Sequence, residues 1–257
     1  MNSRRIAVIV VALVAVVSVG AIALYSTFLA GDNVAELGLN TPAPSETAAA
    51  SASSAPSASS ASATADPTAG AGGSVATGNL AGPWTVASGV AGYRVRETFL
   101  QQNAESDAVG RTEGVTGSLT VDGEAGALRL VSTQVIVDMT TLTSDKDRRD
   151  GQLRGRGIQS DTFPTATFDL ATPVALPADF GSADVAVQLP GKLTLHGVVK
   201  DVTIDAQARL DPDGTVVVAG SLPIVFADYG IEAPNVAGII AVQDNGSMEF
   251  RVVFAKG

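Results

Sequence analysis

The sequence predicts an all-β fold: an antiparallel barrel of about eight strands with one short helical segment, preceded by a single transmembrane helix and a disordered linker. Three observations carry this. Apolar and polar residues alternate with period two from Gly82 almost to the C-terminus, as they do in strands. Turn signals interrupt that alternation at short intervals. Ahead of it lie an uncharged apolar run and a stretch almost free of large side chains.

The apolar run spans Ile6 to Ala30, 25 residues without a charge. At 1.5 Å per residue a helix of that length crosses the roughly 30 Å hydrocarbon core of a bilayer. Arg4 and Arg5 precede it, while Asp32 and Glu36 follow. The positive-inside tendency then leaves residues 1–5 in the cytoplasm and puts everything after the helix outside, on a single-pass protein of the cell membrane. The competing reading is a signal peptide cut near Ala30. Its apolar region is typically only about 7–15 residues, so a retained anchor at 6–30 is expected.

Residues 31–81 read as linker. Between Thr41 and Ser74 only Glu46 and Asp66 are charged, and no Val, Ile, Leu or aromatic residue occurs. Such a segment buries too little apolar surface to offset its conformational entropy, so disorder is expected. Its plain role is a tether holding a folded domain off the membrane. Its many Ser and Thr residues are also candidate O-glycosylation sites.

Residues 82–257 suffice for one domain with a sizeable core. In "GYRVRETF", Tyr93, Val95 and Phe99 alternate with Arg94, Arg96 and Thr98, and Glu97 falls on the Tyr93 face. In "GVTGSLTV", Val115, Leu119 and Val121 share a face. In "ALRLVSTQVIVDM", Leu128 and Leu130 take one face, and Val131, Val135 and Val137 the other. "TATFDL" groups Ala166, Phe168 and Leu170; "KLTLH" and "DVTIDA" pair Leu193 with Leu195 and Val202 with Ile204. "TVVVAGSL" and "SMEFRVVF" complete the set, the latter with Met248, Phe250, Val252 and Phe254 together. Turns are expected at Asp122-Gly123, at Asp211 to Gly214, and at Asn245-Gly246, a pair suited to a tight hairpin.

Composition excludes several functions. The net charge is −10 and the pI near 4.5, opposite to a nucleic-acid footprint. No cysteine is present, which removes disulfides, thiol chemistry and lipoprotein acylation. One histidine and no cysteine argue against a zinc or iron site, which needs several N or S donors. His196 alternates away from Leu193 and Leu195 and precedes Gly197. No Ser or Cys nucleophile or paired carboxylate accompanies it, so a structural hydrogen bond is expected rather than catalysis. No catalytic residue, metal or cofactor is assigned, and the chain reads as no enzyme.

The charged run Asp145, Lys146, Asp147, Arg148, Arg149, Asp150 breaks the strand rhythm. Ser144 followed by Asp147 resembles a helix-start box, and Leu142 and Leu153 flank the charges. A short helix closing one barrel end is expected.

Three blocks of the sequence resemble the YceI-like domain family. They are "TLTSDKDRRDGQLRGRGIQSDTFPTATF", "LPGKLTLHGVVKDVTI" and the ending from "VFADYGIEAPNVAG" to "RVVFAKG". The likeness covers nearly all of Gly82 to Lys256. The chain departs from the family in "AGYRVRET", which lacks the usual His-Ser and second His, and in "LHGVVKD", which lacks a common Pro. The resemblance implies a lipocalin-like extended barrel that binds polyisoprenoid lipids. With the apolar run and the linker, it suggests a membrane-anchored branch of that family in a bacterial cell envelope.

On that footing the candidate lining is Tyr93, Val95, Phe99, Phe168, Leu193, Leu195, Phe250 and Phe254, and the ligand a long-chain isoprenoid or similar lipid. The same residues equally suit a filled core, which would make the domain an envelope structural or interaction module without ligand. The resemblance aligns Arg149-Asp150 with the family's Arg-Asp pair. Arg148 and Arg149 are therefore candidates to grip a lipid diphosphate, with a structural barrel cap as the simpler role.

Overall fold

Alternating sequence becomes strand where one face finds apolar partners, and in the computed structural model that happens around a closed wall. The structure describes residues 34–42, 80–100, 104–233 and 240–257. The expected anchor at 6–30 lies outside them, and among the described residues no helix is long and apolar enough to cross a membrane.

The strands are β1 (Gly82–Phe99), β2 (Ala104–Thr112), β3 (Val115–Asp122), β4 (Arg129–Asp138), β5 (Thr143–Ser144), β6 (Thr165–Leu170), β7 (Val174–Ala175), β8 (Val185–Leu195), β9 (Val198–Leu210), β10 (Val216–Val225), β11 (Ile240–Val242) and β12 (Asn245–Lys256). The helix α1 spans Asp147–Gly155. Eight strands close the barrel in the order β12, β10, β9, β8, β6, β4, β3, β1, with β12 pairing back onto β1. The long β1 outruns this wall. Its second half is flanked by β2 on one side and by β12 and then β11 on the other.

Two bulges decide which residues face inward. Val131 is an extra residue between the pairs Val121–Leu130 and Thr120–Ser132. It shifts the alternation by one, so Leu130 and Val135 both reach the interior, although the sequence places them on opposite faces. A second bulge between Val86 and Ser88 does the same for β1. Trp84 before it and Ala91, Tyr93 and Val95 after it therefore all face in.

The expected Asn245-Gly246 hairpin does not form. Asn245 and Gly246 lie within β12, paired with Val225 and Ile224, and β11 pairs with β1 instead. Gly246 is needed for a different reason: a Cβ there would lie 2.7 Å from the Arg94 carbonyl oxygen. The turn at Asp211 to Gly214 is present, with Gly214 at φ +86°.

Val34 to Pro42, inside the expected linker, packs across the outer wall. Leu39 joins Val217 and Ala219 in a small cluster separate from the barrel interior, and Val217 is fully buried. This explains the unbroken apolar run Val216 to Ala219: that part of β10 is covered on both faces.

Candidate functional site

The interior holds two adjoining lobes. The first, about 130 Å³, is enclosed by inward residues of the barrel strands, among them Trp84, Leu119, Leu130, Val135, Phe168, Leu193, Phe250 and Phe254. Its polar residues are few: Thr133, Thr167 and Glu249. Trp84 closes this end, buried, with its indole N–H donating to the Leu80 carbonyl at 3.1 Å. The second lobe, about 90 Å³, lies towards α1 and is lined by Tyr93, Val95, Glu97, Leu142, Arg149, Leu153 and Leu195. Ala91, Val137 and Met248 line both lobes and form the neck between them.

Glycines let three aromatic rings lie flat on the wall. A Cβ at Gly191 would sit 2.4 Å from two ring atoms of Phe168. At Gly110 it would sit 2.3 Å from Tyr93 Cε1, and at Gly220 it would sit 3.0 Å from Phe250 Cζ. Each ring thus covers a glycine of a neighbouring strand rather than crossing the lumen. Open space along the barrel axis is the result.

Arg149 extends from α1 to β1. Its Nη2 donates to Glu97 Oε2 at 3.0 Å and its Nε to Oε1 at 3.4 Å, while Nη1 reaches Asp145. Burial works against the guanidinium charge, but bonds and charges from Glu97 and Asp145 outweigh it and hold its pKa above the ordinary value. Burial also pushes the Tyr93 phenol well above its ordinary value; Arg149 opposes this, and Asp150 and Glu97 add to it. The phenol is therefore neutral, and its buried hydroxyl makes no well-formed hydrogen bond among the described residues.

The rest of the charged run serves the fold. Asp150 is buried and accepts from the Ser144 backbone N–H at 3.0 Å and from its hydroxyl at 2.6 Å. The expected Ser144–Asp147 box is absent. Lys146 is the N-cap without a side-chain bond, and the carboxylate that returns to Ser144 is that of Asp150. His196 sits at φ +51°, packs on Phe163 with ring centroids 4.3 Å apart, and its Nδ1 donates to the Tyr229 carbonyl at 2.9 Å.

Phe168, Leu193, Phe250 and Phe254 line the first lobe, and Tyr93, Val95 and Leu195 the second. Phe99 lines neither; it lies beyond the closed wall, paired with Ala104 and Ile240. Arg148 is exposed and faces away from both lobes, since neighbours on a helix point about 100° apart. Arg149 lines the second lobe, but its charge is already matched by two carboxylates. Trp84 escaped the sequence reading because the bulge at Val86 to Ser88 hides the periodicity. Among the described residues no group of three His, Asp or Glu side chains is placed to hold a metal ion.

The family model for the YceI-like domain matches residues 85–254. A UPF0312 protein of Vibrio vulnificus is 33% identical over 140 residues, covering 52% of this chain and 70% of that protein. A UPF0312 protein of Vibrio campbellii is 39% identical over 84 residues, 31% of this chain and 41% of its own. Among solved structures, a polyisoprenoid binding domain from Saccharophagus degradans, implicated in plant cell wall breakdown, is similar with TM-score 0.49 and 19% identity. That match covers 67% of this chain and 99% of that one. Burkholderia cenocepacia BcnA is similar with TM-score 0.46 and 21% identity, over 63% and 95% of the two chains.

Proposed function

The chain belongs to the YceI-like domain family, and we propose that its barrel is a non-catalytic carrier of a long, slender, apolar lipid of the polyisoprenoid kind. The observation that carries this is the interior itself: two largely apolar lobes that meet at Ala91, Val137 and Met248, with the Glu97–Arg149 pair at the α1 end. Burying each methylene contributes about 0.8 kcal/mol, so a chain of ten carbons binds without any specific polar contact. The lobes at rest are small. An engineered cavity of about 150 Å³ takes one benzene, so a longer chain needs the neck to widen. Met248 suits that role, because an unbranched thioether side chain changes rotamer cheaply.

The polar end takes the lipid head. Because Arg149 is matched by Glu97 and Asp145, an anionic head group has to displace one of them. A neutral head can instead accept from the buried Tyr93 hydroxyl, whose one neighbouring partner is the Ser144 side chain. The small resting lobes also favour a second reading, an envelope structural or interaction module whose barrel is filled by its own side chains and takes no ligand. In either reading residues 6–30 are proposed to anchor the chain in the cell membrane with the barrel outside, on the strength of their uncharged apolar run.

Native mass spectrometry of the full chain from a bacterial host decides between the two readings. A co-purified species of long-chain lipid mass, lost on organic extraction, is the expected result. Repeated absence of any such species, including after incubation with a polyisoprenol, overturns the carrier reading.

A further inference from the structure

The segment Val34 to Pro42 meets the barrel through arginines of four strands. Arg94 of β1 donates from Nη2 to the Val34 carbonyl at 2.8 Å, and Arg111 of β2 donates to the Ala35 carbonyl. Arg251 of β12 reaches the Leu39 carbonyl at 3.4 Å, and Arg209 of β9 reaches the same oxygen at 3.2 Å and Asn40 Oδ1 at 2.8 Å. In return the Leu37 N–H donates to Glu249 Oε2 at 3.3 Å, while Arg94 Nε holds Oε1 at 2.6 Å. Glu249 and Arg251 are both buried charges, which are costly to desolvate unless partnered. Leu37 and Leu39 are buried as well, and Leu39 covers Val217. This is a built site with apolar anchors and paired charges, occupied by the chain itself.

The site changes what the sequence on either side can do. Ala30 ends the apolar run, and Val34 is already docked, four Cα steps later, at most roughly 14 Å at full extension. The Ala/Ser-rich residues 43–79 come after the docked segment, so they join it back to β1. We propose that Val34–Pro42 is a strap that holds the barrel against the membrane surface, and that residues 43–79 are a loop within the domain rather than a spacer. This rests on the reading of residues 6–30 as a membrane anchor. The chain enters the strap at Arg94, beside Tyr93 of the second lobe, and leaves it level with Arg251, paired to Val90. The polar end of the interior is thus the end nearer the membrane.

The test uses the full chain in phosphatidylcholine vesicles carrying a head-group-labelled lipid as energy acceptor. The chain has no cysteine, so a single donor dye goes on Asp161→Cys, beyond α1, or on Glu124→Cys, in the β3–β4 turn. The strap variant Leu37→Asp/Leu39→Asp alters no strand residue. Transfer is expected to be higher from position 161 than from 124. It should fall at both sites in the strap variant, because the freed chain from Ala30 to Leu80 has a coil reach of roughly 40 Å. Deleting residues 45–74 should leave transfer unchanged. Equal transfer in wild type and strap variant, a rise on deletion, or a reversed order of the two sites overturns the proposal.

Amide exchange on the same full chain reads the strap alone. The Leu37 amide should exchange at least about tenfold more slowly in wild type than with Leu39→Asp alone. Equal rates mean that the strap is not docked in solution. A protein recovered free of vesicles with Leu37 still protected overturns the anchor and the close hold while leaving the docked strap standing.

Discussion

Arg149 Nη2 lies 3.0 Å from Glu97 Oε2, and this pair ties the charged helix α1 to the inner face of β1 at the polar end of the second lobe. The two side chains keep only 19% and 10% of their accessible surface. Removing one partner leaves a largely desolvated charge behind, which costs about 3–5 kcal/mol in a fully buried pair. Because Arg149 is a fifth exposed, Arg149→Ala should cost less, about 2–3 kcal/mol in denaturant unfolding. Replacing both residues, as Glu97→Leu/Arg149→Met, should recover most of that loss. If the double variant is no more stable than Arg149→Ala, the cost lies elsewhere than in the unpaired carboxylate.

Gly191 and Gly151 should respond to alanine with opposite signs. At Gly191 the new methyl would lie 2.4 Å from the Phe168 ring and 2.5 Å from the Asp169 carbonyl oxygen, so the ring must swing into the first lobe. Gly191→Ala should cost about 1–3 kcal/mol and lower bound lipid. Gly151 lies within α1 with nothing inside 4 Å of its added Cβ. Gly151→Ala should stabilise by up to about 1 kcal/mol through helix propensity and leave bound lipid unchanged. Melting curves and extracted lipid, measured side by side, check both.

Val95→Trp probes whether the second lobe is ligand space. Val95 is buried on its lining. In a carrier the added ring takes up space that ligand uses, so lipid retention falls while the melting temperature changes little. In a filled barrel it overpacks the wall and costs about 1–3 kcal/mol. Strong destabilisation, together with a parent protein that never retains lipid, would leave the envelope module as the better reading.

Acid should weaken the fold partly through its turns. Asp138 is held below the ordinary carboxylate value by hydrogen bonds from the Thr140 hydroxyl and backbone N–H, and Asp213 by bonds from the Thr215 backbone N–H and hydroxyl. A carboxyl group depressed in the folded state stabilises above its unfolded value, near 3.9, and loses that contribution as pH falls through the folded value. Unfolding free energy should therefore decline as pH drops below about 4. Asp138→Asn/Asp213→Asn should flatten that decline. An unchanged slope in the double variant would assign the acid sensitivity to other carboxylates.

Period-two alternation was enough to read the barrel class and most strand positions, because burying one face of a strand requires that pattern, and seven of the eight lining candidates face the interior, whether as ligand space or as core. It was blind to the two bulges. An extra residue at Val131 or near Ala87 looks in sequence like a switch of face, and only pairing with β3 and β12 shows that both sides of the switch point inward. Asn245-Gly246 misled for a related reason: a turn-prone pair becomes strand when a neighbouring strand, here β10, offers it backbone partners.

The sequence by itself determined the composition of the interior and the location of the charged helix. Both are set by side-chain polarity and local spacing, which need no knowledge of the rest of the chain. Only the tertiary structure decided that Arg149 is matched by Glu97 across 52 residues, and that Val34 to Pro42 lies on arginines drawn from four strands. Those relationships depend on which strands closure brings side by side. A nine-residue segment without strand or helix periodicity reads as linker until the surface that satisfies its carbonyls is in place.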